Sequence, residues 1–184
     1  MNDFAADDRW QREMRDRFLF GNLYPRFATK FMPVDSQSMQ CSGIDTVVQW
    51  RGQDRLCYVD EKIVRWPTDR SGSPRERGYN AFFIETKSCT LPGHESSGWI
   101  HHAATDQILY CFAGRPPAET MVCHLIDMGD LRRWFAANEA RYPLSRMPDK
   151  NRSEGRIVPI LDVYRKAWAR IAVFQIDLSQ SAIH

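Results

Sequence analysis

Gly43-Ile44-Asp45-Thr46-Val47-Val48-Gln49-Trp50 and Leu56-Cys57-Tyr58-Val59-Asp60-Glu61-Lys62 read as the two arms of one β-hairpin. Both arms are rich in β-branched and aromatic residues, and Gly52-Gln53-Asp54 between them supplies turn chemistry. A turn centred near Gln53 folds Asp45 opposite Glu61 and Lys62, within roughly 5 Å across the strands. Side-chain alternation then puts Tyr58, Asp60 and Lys62 on one face and Val59, Glu61 and Ile63 on the other. Charged groups from distant positions converge at the open end of the hairpin.

Convergent carboxylates suit a hard cation such as Mg²⁺, which binds through one or two protein carboxylates and keeps waters or phosphate oxygens in its other positions. A lysine alongside stabilises charge developing on a phosphate under attack by an activated water. The competing reading of Asp60-x-Lys62 is a solvated ion pair on an exposed strand face. Context comes from Asn80-Ala81-Phe82-Phe83-Ile84-Glu85-Thr86-Lys87, which predicts a third strand buried on both faces. A carboxylate ending such a run is costly unless paired or metal-bound, so Glu85 is a third candidate ligand. Glu85-x-Lys87 also offers a second acid-x-Lys pair, with Asp60 as its preceding lone acid, and the sequence leaves that assignment open.

At these residues the chain resembles the PD-(D/E)xK nuclease superfamily, whose core runs helix, three strands, helix, strand. Asp45 matches the lone acid, and Asp60 with Lys62 matches the acid-x-Lys pair on the next strand. The resemblance implies an α/β fold of restriction-endonuclease-like type, a central mixed sheet flanked by helices in αβββαβ order, within one domain over 1–184. It also implies hydrolysis of nucleic acid, DNA more than RNA, with Mg²⁺ or Mn²⁺ as cofactor. The metal ligands would be Asp45, Asp60 and Glu85, with Lys62 orienting or helping to deprotonate the attacking water. Two departures stand out: Gly-Ile-Asp replaces the Pro-Asp that names the group, and the pair reads Asp-Glu-Lys. A bulge would therefore turn Glu61 toward the metal in place of Asp60. The alternative is a non-catalytic, nuclease-like module of phage or mobile-element origin that binds nucleic acid or protein.

A length of 184 residues with 43% hydrophobic content suits a single buried core. No apolar run is long enough to span a bilayer, and the acidic amino terminus lacks a secretion signal, so a cytoplasmic protein is expected. Five cysteines without a Cys-x-x-Cys pair argue for free thiols over disulfides or zinc. Net charge is only +2, yet twenty of the basic residues are arginines, the side chain suited to bidentate phosphate contacts. Arg70, Arg75 and Arg77 fall in the polar segment 66–78 beside the hairpin, and with Lys87 they are candidate nucleic-acid contacts. A homodimer would suit double-strand cutting, though no interface is legible.

Outside the hairpin, Trp10, Met14 and Phe18 predict a helix over 7–20, stopped by Gly21-Asn22, with Glu13 as a possible supporting acid. Residues 33–42 read as a polar approach. Ile100, Ala104, Ile108 and Cys111 at helical spacing predict a helix over 98–112, from which Gln107 or Asp106 would face the metal. Adjacent His101 and His102 diverge by about 100° on such a helix and are poorly placed to share an ion. A strand over 120–127 with a structural His124, a helix over 129–141, a polar loop over 143–154 and a last strand over 171–176 complete the expected order.

Overall fold

A computed structural model of the chain describes residues 4–65, 80–115, 120–147, 152–167 and 171–177. The hairpin forms from β2 (Thr46–Trp50) and β3 (Cys57–Arg65), with Thr46 opposite Val59, Val47 opposite Tyr58 and Val48 opposite Cys57. β3 outruns its partner, so beyond Val59 the two strands part. They belong to a six-stranded sheet ordered β1, β2, β3, β6, β7, β10, completed by β1 (Ala28–Pro33), β6 (Gln107–Arg115), β7 (Thr120–Asp127) and β10 (Ile171–Asp177). Only β3 and β6 run parallel, which makes the sheet mixed. A second, antiparallel sheet is ordered β5 (Ser96–Ser97), β4 (Ala81–Cys89), β9 (Glu154–Pro159), β8 (Leu144–Arg146).

Each face of the main sheet has its own apolar cluster. On one face lie α1 (Phe4–Met14), a π-helical run (Arg15–Leu23) and α2 (Tyr24–Phe27), whose Met14, Phe18, Leu23 and Tyr24 pack with Val59, Leu109 and Cys111. On the other, Phe82 and Ile84 of the second sheet join α4 (Trp99–His102), α5 (Met128–Asn138) and α6 (Ile160–Lys166) over Ile108, Tyr110 and Phe112. A short α3 (Gln37–Cys41) sits between β1 and β2. None of the described helices is long and apolar enough to cross a membrane.

Several expectations are corrected. Helical backbone does not stop at Gly21-Asn22: the Tyr24 N–H reaches the Leu19 carbonyl five residues back, and the wider turn carries the chain on to Phe27. Segment 28–33 is a strand, so the meander is β1, β2, β3. The Asn80–Lys87 segment is not its third strand; β4 pairs with β5 and β9 in the other sheet and buries one face, with Phe82 and Ile84 inward and Phe83 half-exposed. The expected helix over 98–112 is only the four-residue α4, followed by β6. Every residue from Ile108 to Ala113 is buried because β6 is central to both clusters, and all-round burial defeats any periodicity test. Part of the expected loop over 143–154 is β8, paired with β9.

His124 does sit in the core, with Nδ1 2.7 Å from the Tyr164 hydroxyl and its ring edge-on to Phe82 and Phe112. Burial lowers its pKa to about 4. A group held neutral in the folded state but protonated in the unfolded chain contributes stability above pH 6.5 that is lost as pH falls toward 4. Urea titrations should show that loss, about 3 kcal/mol across the window, and a His124→Phe variant should lack this part of the slope.

Candidate functional site

The loop that delivers Asp45 is held rigidly. Gly43 has φ 73°, and a β-carbon there would lie 2.8 Å from that of Ala103, so both backbone conformation and close approach require glycine. The Ala104 N–H bonds the Ser42 carbonyl at 2.7 Å, tying the loop to the end of α4. Asp45 donates its N–H to the Val59 carbonyl at 2.9 Å, and its own carbonyl accepts from Val34 at 2.9 Å and from Arg15 Nη2 at 2.8 Å. Its Oδ2 then accepts the Glu61 N–H at 2.8 Å, so a carboxylate replaces the missing strand where β2 leaves β3.

Asp60 is fully buried. Its Oδ1 accepts from Lys62 Nζ at 2.7 Å, whereas Oδ2 has no hydrogen-bond partner. Burial raises the carboxyl to about 7; the Lys62 charge pulls it down and the Asp45 carboxylate pushes it up again. Lys62 has a side chain 32% exposed. Burial works to lower its pKa, but Asp60, Asp45 and Glu85 surround it with negative charge and the net shift is upward. Lys62 is therefore held as an ammonium, while Asp60 exchanges its proton near neutrality.

Glu61, one residue away on the opposite face, is saturated. Its Oε2 takes Arg15 Nε at 2.5 Å, and its Oε1 takes the Tyr24 hydroxyl at 2.5 Å and Thr46 Oγ1 at 2.6 Å. Burial raises this carboxyl too, with Arg15, Thr46 and Tyr24 opposing the rise. Removing one partner of such a buried pair costs on the order of 3 to 5 kcal/mol, because the other charge is left without compensation. No bulge interrupts β3 here, and Asp60 with Lys62 shares the face toward the second sheet as alternation requires.

Two adjoining depressions flank the open edge of β3 and share Gln11, Glu61 and Ile63. One, about 420 Å³, is walled by Arg12 and Arg15 from the first helical segment and by Gln40 and Asp45. The other, about 310 Å³, lies between Lys62 and the second sheet and includes Glu85. Glu85 stands on β4 with Oε1 accepting from Ser88 at 2.6 Å, near enough to Lys62 to bias its charge. Lys87 is exposed and 3.6 Å from Glu154, and a register shift separates it from Glu85, so the geometry favours Asp60 and Lys62 over Glu85-x-Lys87.

Other expected members lie elsewhere. Gln107 Oε1 accepts from Trp50 Nε1 at 2.7 Å, on the opposite face of the sheet from Asp60. Asp106 caps the Tyr58 N–H at 2.9 Å. Glu13 is exposed, and the first helical segment contributes Gln11 and Arg15 instead. His102 Nδ1 binds the Gly98 carbonyl at 2.8 Å. Arg70, Arg75 and Arg77 lie outside the described residues. Arg15 was missed by sequence reasoning; its one signal was a position one turn beyond Gln11 on a helix that packs against the hairpin.

Among the described residues no group of three or more His, Cys, Asp or Glu side chains is placed to hold a metal. Asp45 and Asp60 nonetheless meet the requirement of one or two carboxylates, and the unpartnered Asp60 Oδ2 is the acceptor a cation would satisfy. No protein-family model, curated protein or solved structure matches the chain.

An Asp60 carboxyl raised above its unfolded value favours the fold at low pH, and that advantage disappears as pH rises from about 4 through 7. Asp60→Asn mimics the protonated form. Thermal melts without divalent cations should show the variant more stable than wild type at pH 8, by about 2 kcal/mol or more, and equal to it near pH 4.

Proposed function

We propose that the chain is a metal-dependent phosphodiesterase acting on nucleic acid, DNA more than RNA, of the PD-(D/E)xK type. The observation that carries this reading is the buried, half-satisfied Asp60 carboxyl between Asp45 and Lys62 at the open edge of β3. A costly buried carboxylate with a displaced pKa is characteristic of functional sites. The order of the main sheet supports the reading: a helical segment, the β1-β2-β3 meander, a crossover, then β6 parallel to β3. The crossover departs from the family order, since its described residues hold β4, β5 and the short α4 where the family has one long helix.

Asp45 and Asp60 would hold Mg²⁺ or Mn²⁺. When bound, that ion supplies an acidified water and neutralises phosphate charge. Lys62, kept as an ammonium by its carboxylate neighbours, orients and stabilises the anionic phosphate rather than taking a proton. Asp60, titrating near neutrality, binds a cation only when ionised. Arg15 and Glu61 keep Asp45 in position by clamping β2 and β3 together. The absence of a three-ligand group among the described residues favours a second reading, a nuclease-like module that binds without cutting.

Supercoiled, linear and single-stranded DNA incubated with Mg²⁺ or Mn²⁺ should be cleaved, faster as pH rises through about 7. Lys62→Ala and Asp60→Asn should each lower the rate at least 100-fold while the folded state persists. Undiminished cleavage in Lys62→Ala would remove the assignment, and no cleavage of any substrate together with no metal-induced thermal shift would select the binding module.

A further inference from the structure

We propose that the outer edge of β10 is the interface through which two copies of the chain pair, extending the main sheet across a two-fold axis. This pairing is independent of the function proposed above and needs neither metal nor nucleic acid.

An exposed strand edge invites pairing with another chain, and proteins blunt such edges with charge, proline, bulges or brevity. Four strands stand at sheet edges among the described residues, and three of them are blunted. β1 carries exposed Lys30 and Pro33 and an irregular register between Ala28 and Lys30. β5 has two residues and β8 three, with Arg146 of β8 held by Glu154 at 2.6 Å. β10 has none of these devices. It runs in unbroken register with β7 from Ile171 to Asp177 and reads Ile-Ala-Val-Phe-Gln-Ile before its first charge. No described strand pairs with its other side.

Both flanks of this edge are apolar and open. Val173 lies opposite His124, so the two side chains share a face, and Val173 is 50% exposed. On that face the hydroxyl of exposed Tyr164 meets His124 at 2.7 Å, and exposed Leu161 sits one turn earlier on α6. On the other face Phe174 packs against exposed Phe27, with ring centroids 4.6 Å apart. Four of the eight large apolar side chains exposed among the described residues therefore gather around one strand, which marks an interaction surface.

The occupant follows from symmetry. A second β10 related by a two-fold axis keeps each sheet face on its own side, so α6 meets α6 and Phe27 meets Phe27, apolar on apolar at both flanks. An axis through Val173 also sets Phe174 against Ala172, large against small. Size fixes the strength. Seven residues at about 3.4 Å each, with a depth of about 20 Å for the sheet and its covering layers, bury about 500 Å² per copy, close to the lower limit of specific interfaces. The dimer is therefore a weak one that forms with concentration.

Light scattering coupled to gel filtration of the full chain should show the mass rising from 21.5 kDa toward twice that value as concentration passes about 10 μM. Val173→Lys, which opposes two ammonium groups across the axis, and Leu161→Lys should each raise the dissociation constant about 10-fold or more. Both side chains are exposed, so far-UV circular dichroism should not change; should Val173→Lys fail to fold, Leu161→Lys decides alone. Met32→Lys on the β1 edge should leave dimerisation as it is. A chain still monomeric at about 200 μM, a dimer that both β10-side variants leave intact, or one that Met32→Lys dissolves would overturn the interface.

Discussion

The hydrogen bond from the Glu61 N–H to the Asp45 carboxylate is the constraint on which the rest of the site depends. Where β2 turns away from β3, a backbone donor is left without its strand partner, and a buried donor in that condition is destabilising. A side-chain carboxylate fills the gap, which requires Asp45 to arrive at the strand end in one orientation. Gly43, the bond from Ala104 to Ser42 and the Arg15 bridge to the Asp45 carbonyl all serve that arrival. The strands can then diverge without unravelling, and the divergence opens the edge of β3 to solvent.

Asp60 and Glu61 show how strand phase divides the labour of two adjacent acids. Glu61 faces the helical layer, where an arginine, a tyrosine and a threonine meet its two oxygens; it works as a rivet between the first helical segment and the hairpin. Asp60 faces the second sheet, where Lys62 donates to one oxygen, the Asp45 carboxylate stands close by and the other oxygen receives no donor. Both carboxyls are raised by burial, but only one has an unfilled valence for an outside ligand. A one-residue slip in register would exchange these roles and place the incomplete acid inside the apolar cluster, which fixes the register strongly.

The hairpin, its facial alternation and the Asp60–Lys62 pair were legible because period-two patterning over a polar-ended strand is a local property. The remainder depended on partners far away in sequence. β6 looked helical because a strand buried on both faces carries no alternation, and the parallel pairing of Ile108 with Asp60 is invisible locally. β4 was legible as a strand, but nothing in Phe82-Phe83-Ile84 states which sheet it joins. Arg15 escaped notice because its importance comes from Glu61 and Asp45, 46 and 30 positions away. Gln107 was misassigned along with the helix that was expected to carry it.

Charge decides what such a cleft can admit. Arg15 is engaged by Glu61, and among the described residues Lys62 is a cation set directly against Asp45, Asp60 and Glu85. Three carboxylates around that ammonium would weigh against a phosphate at the distances where Coulomb terms in a partly buried site reach several kcal/mol. Two changes would relieve that repulsion: Asp60 takes a proton, as its pKa of about 7 permits, or, on the function proposed above, a divalent cation is held by Asp45 and Asp60. The first removes the ligand that a cation needs, and the second requires the ionised form. If the chain holds a cation as proposed, protonation and metal binding would be two exclusive ways of neutralising the same buried acid, with the choice between them turning on pH and on the concentration of free divalent ion.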